Sequence, residues 1–104
     1  MKAEPINFLE KFSQISECWS PSLIAEMNDC QFKLVKIEGE FVWHVHPETD
    51  KVFVVLEGAM GVEFRDRVVT IEEGEMLVVP KGVEHKPLAH GESKIMLIEP
   101  KPER

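Results

Sequence analysis

Cysteine is scarce in this chain. The 104 residues include two, Cys18 and Cys30. Two are too few for a disulfide framework, and their spacing matches no redox or zinc motif. Basic residues are also in short supply. Twelve Lys and Arg stand against nineteen Asp and Glu, a formal net charge of -7, and the bases form no long cluster. That balance argues against nucleic acid or an anionic membrane as a partner. No apolar run approaches the ~20 residues that a membrane-crossing helix requires. The opening "MKAEPINFLEKF" has no apolar core of the kind that precedes a secretory cleavage site. The expectation is a cytoplasmic protein with reduced thiols. There is no low-complexity stretch, linker or second domain. The length suits one domain over residues 1–104, large enough for one core without a covalent staple.

Order is carried by the pattern of apolar residues. In "PINFLEKFSQI", Ile6, Leu9 and Phe12, with Phe8 and Ile15 nearby, fall toward one helical face, and Pro5 is tolerated at a helix start. A helix is expected over about 5–15, ended by "CWSPS", where Pro21 disfavours helix at Ser20. Eight short apolar or alternating runs follow: "SLIAEMN", "QFKLVKIEG", "FVWHVH", "KVFVVLEG", "MGVEFR", "RVVTIEEG", "EMLVVPKG" and "SKIMLIEP". Gly, Pro, Asn or Asp bounds nearly every run. This is the pattern of an all-β sandwich or barrel, expected over 22–100. "FRDRV" reads as a tight hairpin around Arg65 and Asp66, and the tail "EPKPER" as loosely docked.

Two of the four histidines, His44 and His46, are separated by one residue. In a strand, residues i and i+2 share a face, so the pair could chelate one ion. His85 follows the strand end and turn "VVPKGVE" and could add a third donor. Imidazole suits zinc, iron, nickel, copper and manganese to different degrees. An H-x-H pair is also what two ordinary strand histidines look like, so spacing leaves both readings open. His90, beside Gly91, reads as an exposed loop histidine.

The wider pattern resembles the cupin family. Cupins carry G-x5-H-x-H-x(3,4)-E-x6-G and then G-x5-P-x-G-x2-H-x3-N. Here the first motif reads Gly39, His44, His46, Lys51 and Gly58, with the leading glycine one residue closer than usual and lysine in the place of glutamate. The second reads Gly74, Pro80, Gly82 and His85, with Ala89 where asparagine is usual. The chain also resembles compact single-domain bacterial cupins of the cupin 2 type, some of them called mannose-6-phosphate isomerase-like. The resemblance implies a double-stranded β-helix, or jelly-roll barrel, with a short N-terminal helix. It further implies a divalent transition metal (Zn, Fe, Ni or Mn) held by His44, His46 and His85, a small-molecule ligand in the barrel, and a homodimer.

Lys51 is the departure that matters. An inward ammonium about 4 Å from a divalent ion costs about 8 kcal/mol at an effective dielectric near 20. Lys51 must then lose its proton, turn toward solvent, or weaken the ion's binding. Asp50 is a poor substitute, since beside Lys51 in a strand it takes the opposite face unless a bulge at "PETD" reverses it, and Glu48 in the same loop could also reach in but is not the default. By alternation Phe53 and Val55 share the face of Lys51 and become pocket candidates. Trp43 should face outward, into a subunit interface or under the N-terminal helix, while Trp19 could cover a barrel edge. Glu57 is expected to cap a turn or face solvent.

Two functions compete. One is a metal-dependent oxygenase-like or isomerase-like protein with Lys51 as candidate general base. The other is a non-catalytic barrel or sensor for small organic anions in which Lys51 has weakened or replaced the metal.

Overall fold

Apolar residues spaced by two along neighbouring strands turn one face of each strand inward, and the core of the barrel is built from such pairs. In the computed structural model, which describes residues 3–102, these pairs are Val35 and Ile37, Phe53 and Val55, Met60 and Val62, and Ile95 and Leu97, all buried in one cluster. Each fully buried side chain of this kind contributes roughly 1.5–3 kcal/mol.

The strands are β1 (Ser22–Met27), β2 (Cys30–Glu40), β3 (Lys51–Glu57), β4 (Ala59–Glu63), β5 (Val68–Glu72), β6 (Met76–Val79) and β7 (Lys86–Pro100). They run β1-β2-β7-β3-β6 in space, and β4 pairs with both β5 and β7. Every pairing between these strands is antiparallel. Strand β7 is the spine. From Ser93 onward it lies against β2, and its partners on the other side are in β3, whereas Lys86–Leu88 pairs with β4 and the end of β2. One strand thus serves both walls, as in other double-stranded β-helices, and this chain has that fold.

Three expectations change. "FVWHVH" is not a regular strand, and only His44 within it forms a bridge, to His85. The last strand begins at Lys86 rather than near Ser93, because "KPLAH" pairs with β4 and β2. The helix is only α1 (Phe8–Phe12). Asn7 starts it by accepting a hydrogen bond from the Glu10 N–H at 3.0 Å. Phe12 alone of its apolar residues is buried, while Leu9 is 70% exposed.

The "FRDRV" hairpin is present, closed by Phe64 N–H donating to Arg67 O at 2.7 Å. At the β3–β4 turn Gly58 has φ +89°, and an added Cβ would lie 2.6 Å from Ser93 Oγ. Ser93 is buried there because its hydroxyl both donates to Ala59 O (2.8 Å) and accepts from Ala59 N–H (3.2 Å). The tail is docked as far as Lys101, which reaches Glu26 at 3.0 Å and donates its N–H to Asp29 O. The final residues, Glu103 and Arg104, lie outside the described residues.

Candidate metal centre

The two motif segments are joined by their backbones. Phe41 N–H donates to Pro87 O, and Gly82 N–H donates to His46 O. Between these bonds, His44 and His85 exchange both of their backbone hydrogen bonds, each 3.0 Å. Residues paired in this way in an antiparallel ladder project their side chains to the same face. The His44 and His85 rings therefore meet, with centroids 4.4 Å apart. His46, two residues on from His44, completes the group at 5.0 Å from His44 and 5.7 Å from His85. One ring nitrogen from each of the three lies within 4.8 Å of the others, a cluster that can hold a metal ion.

The hydrogen bonds fix which nitrogens are free. His44 Nδ1 lies 2.9 Å from Val42 O and His85 Nδ1 lies 3.0 Å from Val83 O. A carbonyl only accepts, so the proton of each neutral ring is assigned to Nδ1 and the lone pair to Nε2. Carbonyls that hold the second ring nitrogen in this way orient ligand histidines in metal sites. Nε2 of His46 and of His85 is buried without any hydrogen-bond partner. Each such orphan costs about 1–3 kcal/mol. Protonation is a poor remedy. Burial first, then the Lys51 charge, hold the His46 ring below the usual imidazole range. At His85 burial again dominates, against the opposing pull of the Val83 hydrogen bond. Neutral rings with inward lone pairs are what a divalent transition ion requires.

Lys51 faces the same space. Its Nζ lies 5.5 Å from the centroid of the Phe53 ring, and that ring is 6.2 Å from His85. Burial is the main cause that lowers its pKa, Lys33 adds to the effect, and Glu99 opposes it. Glu99 is already engaged by Lys33 at 3.5 Å. Among the described residues Lys51 forms neither an ion pair nor a side-chain hydrogen bond. Among the described residues no carboxylate replaces the missing glutamate: Glu48 is exposed, and Asp50, also exposed, accepts from Lys81 N–H at 2.8 Å.

Beside the histidines is a cavity of ≈ 120 Å³ walled by Trp19, Phe41, Phe53 and Leu97, with His44 and Lys51 on its lining. Val55 shares the face of Phe53 but is enclosed in the core. Trp19 lies along the edge of β2 at Lys36 and Glu38, as a barrel-edge cover would, and there it also walls the cavity. Its ring stacks on Phe41 at 5.0 Å, its Nε1–H donates to Glu38 O, and its backbone N–H donates to Lys36 O. To reach this position Trp19 adopts φ +61°, unusual for a bulky residue. Pro21 and Pro87 complete the wall, and no spacing rule pointed to either. Trp43 lies under Arg65, whose guanidinium is 3.8 Å from the ring centroid, rather than under α1. Glu57 is exposed and pairs with Lys94 at 3.4 Å. His90 is exposed, as expected, but within β7. Cys18 and Cys30 are free thiols.

Residues 32–99 match the family model described as the cupin domain. The chain is 33% identical over 81 residues to the uncharacterised protein YdbB of Bacillus subtilis, a match covering 77% of this chain and 72% of that one. Among solved structures it is similar to a cupin-2 domain containing protein of Shewanella frigidimarina, with 62% identity, a TM-score of 0.91 and coverage of 92% of this chain and 94% of the other. A Neisseria meningitidis protein is 42% identical at a TM-score of 0.86, over 94% of this chain and all of its own.

Proposed function

Since the chain belongs to the cupin family, we propose that it is a metal-dependent small-molecule protein. A divalent transition ion (zinc, iron, nickel or manganese) is held through Nε2 of His44, His46 and His85, and a small ligand occupies the adjoining cavity. The buried, unpartnered Nε2 atoms of His46 and His85 are the observation that carries this reading. Three protein donors leave coordination positions for water, substrate or oxygen. Such an ion supplies Lewis-acid polarisation or, if it is redox-active, oxygen chemistry. Lys51 is the candidate general base, because burial lowers its pKa below the usual lysine range and so makes its proton easier to lose. Of the two reaction types, oxygenase-like chemistry suits the largely apolar wall better than isomerisation of a polyhydroxylated sugar, which needs many polar partners.

A second reading is a non-catalytic organic-anion barrel or sensor, in which Lys51 has displaced the metal. It is favoured by the Lys51 ammonium, which lies on the cavity lining without an ion-pair partner among the described residues. The first experiment is elemental analysis of protein purified without tag or chelator. About one ion per chain, lost in His44→Ala and His85→Ala, supports the metal centre, and Lys51→Glu is then expected to tighten the ion. Protein that remains empty after incubation with each of the four metals overturns it and leaves the anion barrel.

A cytoplasmic homodimer completes the proposal. Free thiols and an acidic chain suit that compartment. The outer strands β1 and β6 expose Leu23, Met27, Met76 and Val78 along edges that a second copy would cover. Sedimentation at micromolar concentration distinguishes dimer from monomer.

A further inference from the structure

The cavity beside the histidines has a composition that selects its occupant. Its lining is apolar apart from three side chains: Trp19, whose N–H is already spent on Glu38 O, His44 and Lys51. Among the described residues Lys51 has no ion-pair partner. The carboxylate nearest it in register is Glu99, because Val52 pairs with Ile98 in the antiparallel β3–β7 ladder, and Glu99 is bound by Lys33. Lys33, Lys51 and Glu99 therefore leave one positive charge uncompensated in a half-buried site. Size sets the second limit. An apolar cavity of roughly 150 Å³ accepts one benzene ring, and this one is ≈ 120 Å³. A phosphorylated hexose is too large for it and would leave its hydroxyls facing Phe53, Trp19 and Leu97. A dianion would bring a second negative charge with no second cation on the lining.

We propose that the cavity binds a short monocarboxylate, aliphatic or with a single ring, with its carboxylate at Lys51 Nζ and its apolar body against Phe53, Trp19 and Phe41. This deepens the site reading above without depending on the ion. The carboxylate supplies the counter-charge that the fold withholds from Lys51. When an ion is present, the same carboxylate lies between two cations and screens one from the other.

The test uses protein stripped of metal by chelator and dialysed. Butanoate and benzoate are titrated by calorimetry, beside 1-butanol, benzyl alcohol and butylamine. Trp19 lies on the cavity wall, so its fluorescence gives a second readout in a Trp43→Phe background. The acids are expected to saturate one site per chain at least ~10-fold more tightly than the alcohols of the same body, and butylamine not to bind. Lys51→Met is expected to remove the preference for acids while alcohol binding persists, which also shows that the variant is folded. Acids that bind no better than alcohols to the unmodified protein overturn the proposal, and so does acid binding undiminished in Lys51→Met. Metal uptake is measured separately on the same preparation. Acid selectivity without metal uptake removes the ion and keeps the carboxylate, and metal uptake without acid selectivity does the reverse.

Discussion

An ammonium against an apolar wall costs free energy wherever no anion meets it. Lys51 is in that position, with Phe53 beneath it and Glu99 taken by Lys33. Lys51→Met keeps an unbranched side chain and removes the charge. It is expected to raise unfolding free energy by about 1 kcal/mol, read as a higher urea midpoint with an unchanged slope. A lower midpoint would mean that the charge is satisfied in solution. Gly58 is the opposite case, a residue with no room for change. Its φ of +89° is disfavoured for a residue with a Cβ, and the new atom would displace the buried Ser93 hydroxyl from Ala59. Gly58→Ala is expected to cost about 2–3 kcal/mol. Gly74 has a similar φ and nothing within 4 Å of an added Cβ, so Gly74→Ala isolates the backbone part of that cost.

Among the secondary-structure elements, α1 shows how much of a helix tertiary packing retains. Phe12 is 2% exposed against the body of the barrel and Leu9 is 70% exposed. Phe12→Ala is expected to lower stability by about 3–5 kcal/mol, while Leu9→Ser should stay within about 0.5 kcal/mol. Thermal melts of the two variants measure the difference. The same contrast explains what could be read from the chain alone. Strands whose apolar residues alternate, such as β2 and β3, were legible because the period is physical and local. "FVWHVH" has strand composition, yet one bridge is all it forms, because pairing depends on a partner segment that composition does not reveal. The helix is shorter than its apolar pattern suggests, because Asn7 caps it at Phe8 and both Ile6 and Ile15 fall outside it. Of the site, the histidine trio was legible through motif spacing and the shared face of i and i+2. The aromatic cover was not: Trp19 reaches the cavity only through a left-handed backbone conformation and a hydrogen bond to Glu38, neither of which a periodicity rule contains.

The whole molecule should record its buried imidazoles as a pH dependence. Unfolded histidine takes up its proton near pH 6.5, while His46 and His85 in the folded barrel resist protonation, chiefly through burial. The unfolded state therefore binds more protons as pH falls through that value, and stability that is full above it is lost toward the lower folded values. Metal-free protein is expected to show a lower urea midpoint at pH 5.5 than at 7.5, and His85→Gln should flatten the difference. The reciprocal backbone pair between His44 and His85 has a kinetic consequence as well. Its two halves are far apart in sequence, so the trio of donors does not exist until the walls of the barrel have closed on each other. An ion that needs all three donors joins after the folding barrier and must leave before it is recrossed, which makes it a latch and not a template. In stopped-flow measurements a saturating ion is expected to slow unfolding and leave the folding limb where it was. Acceleration of folding would instead place the pairing of the two motifs in the transition state.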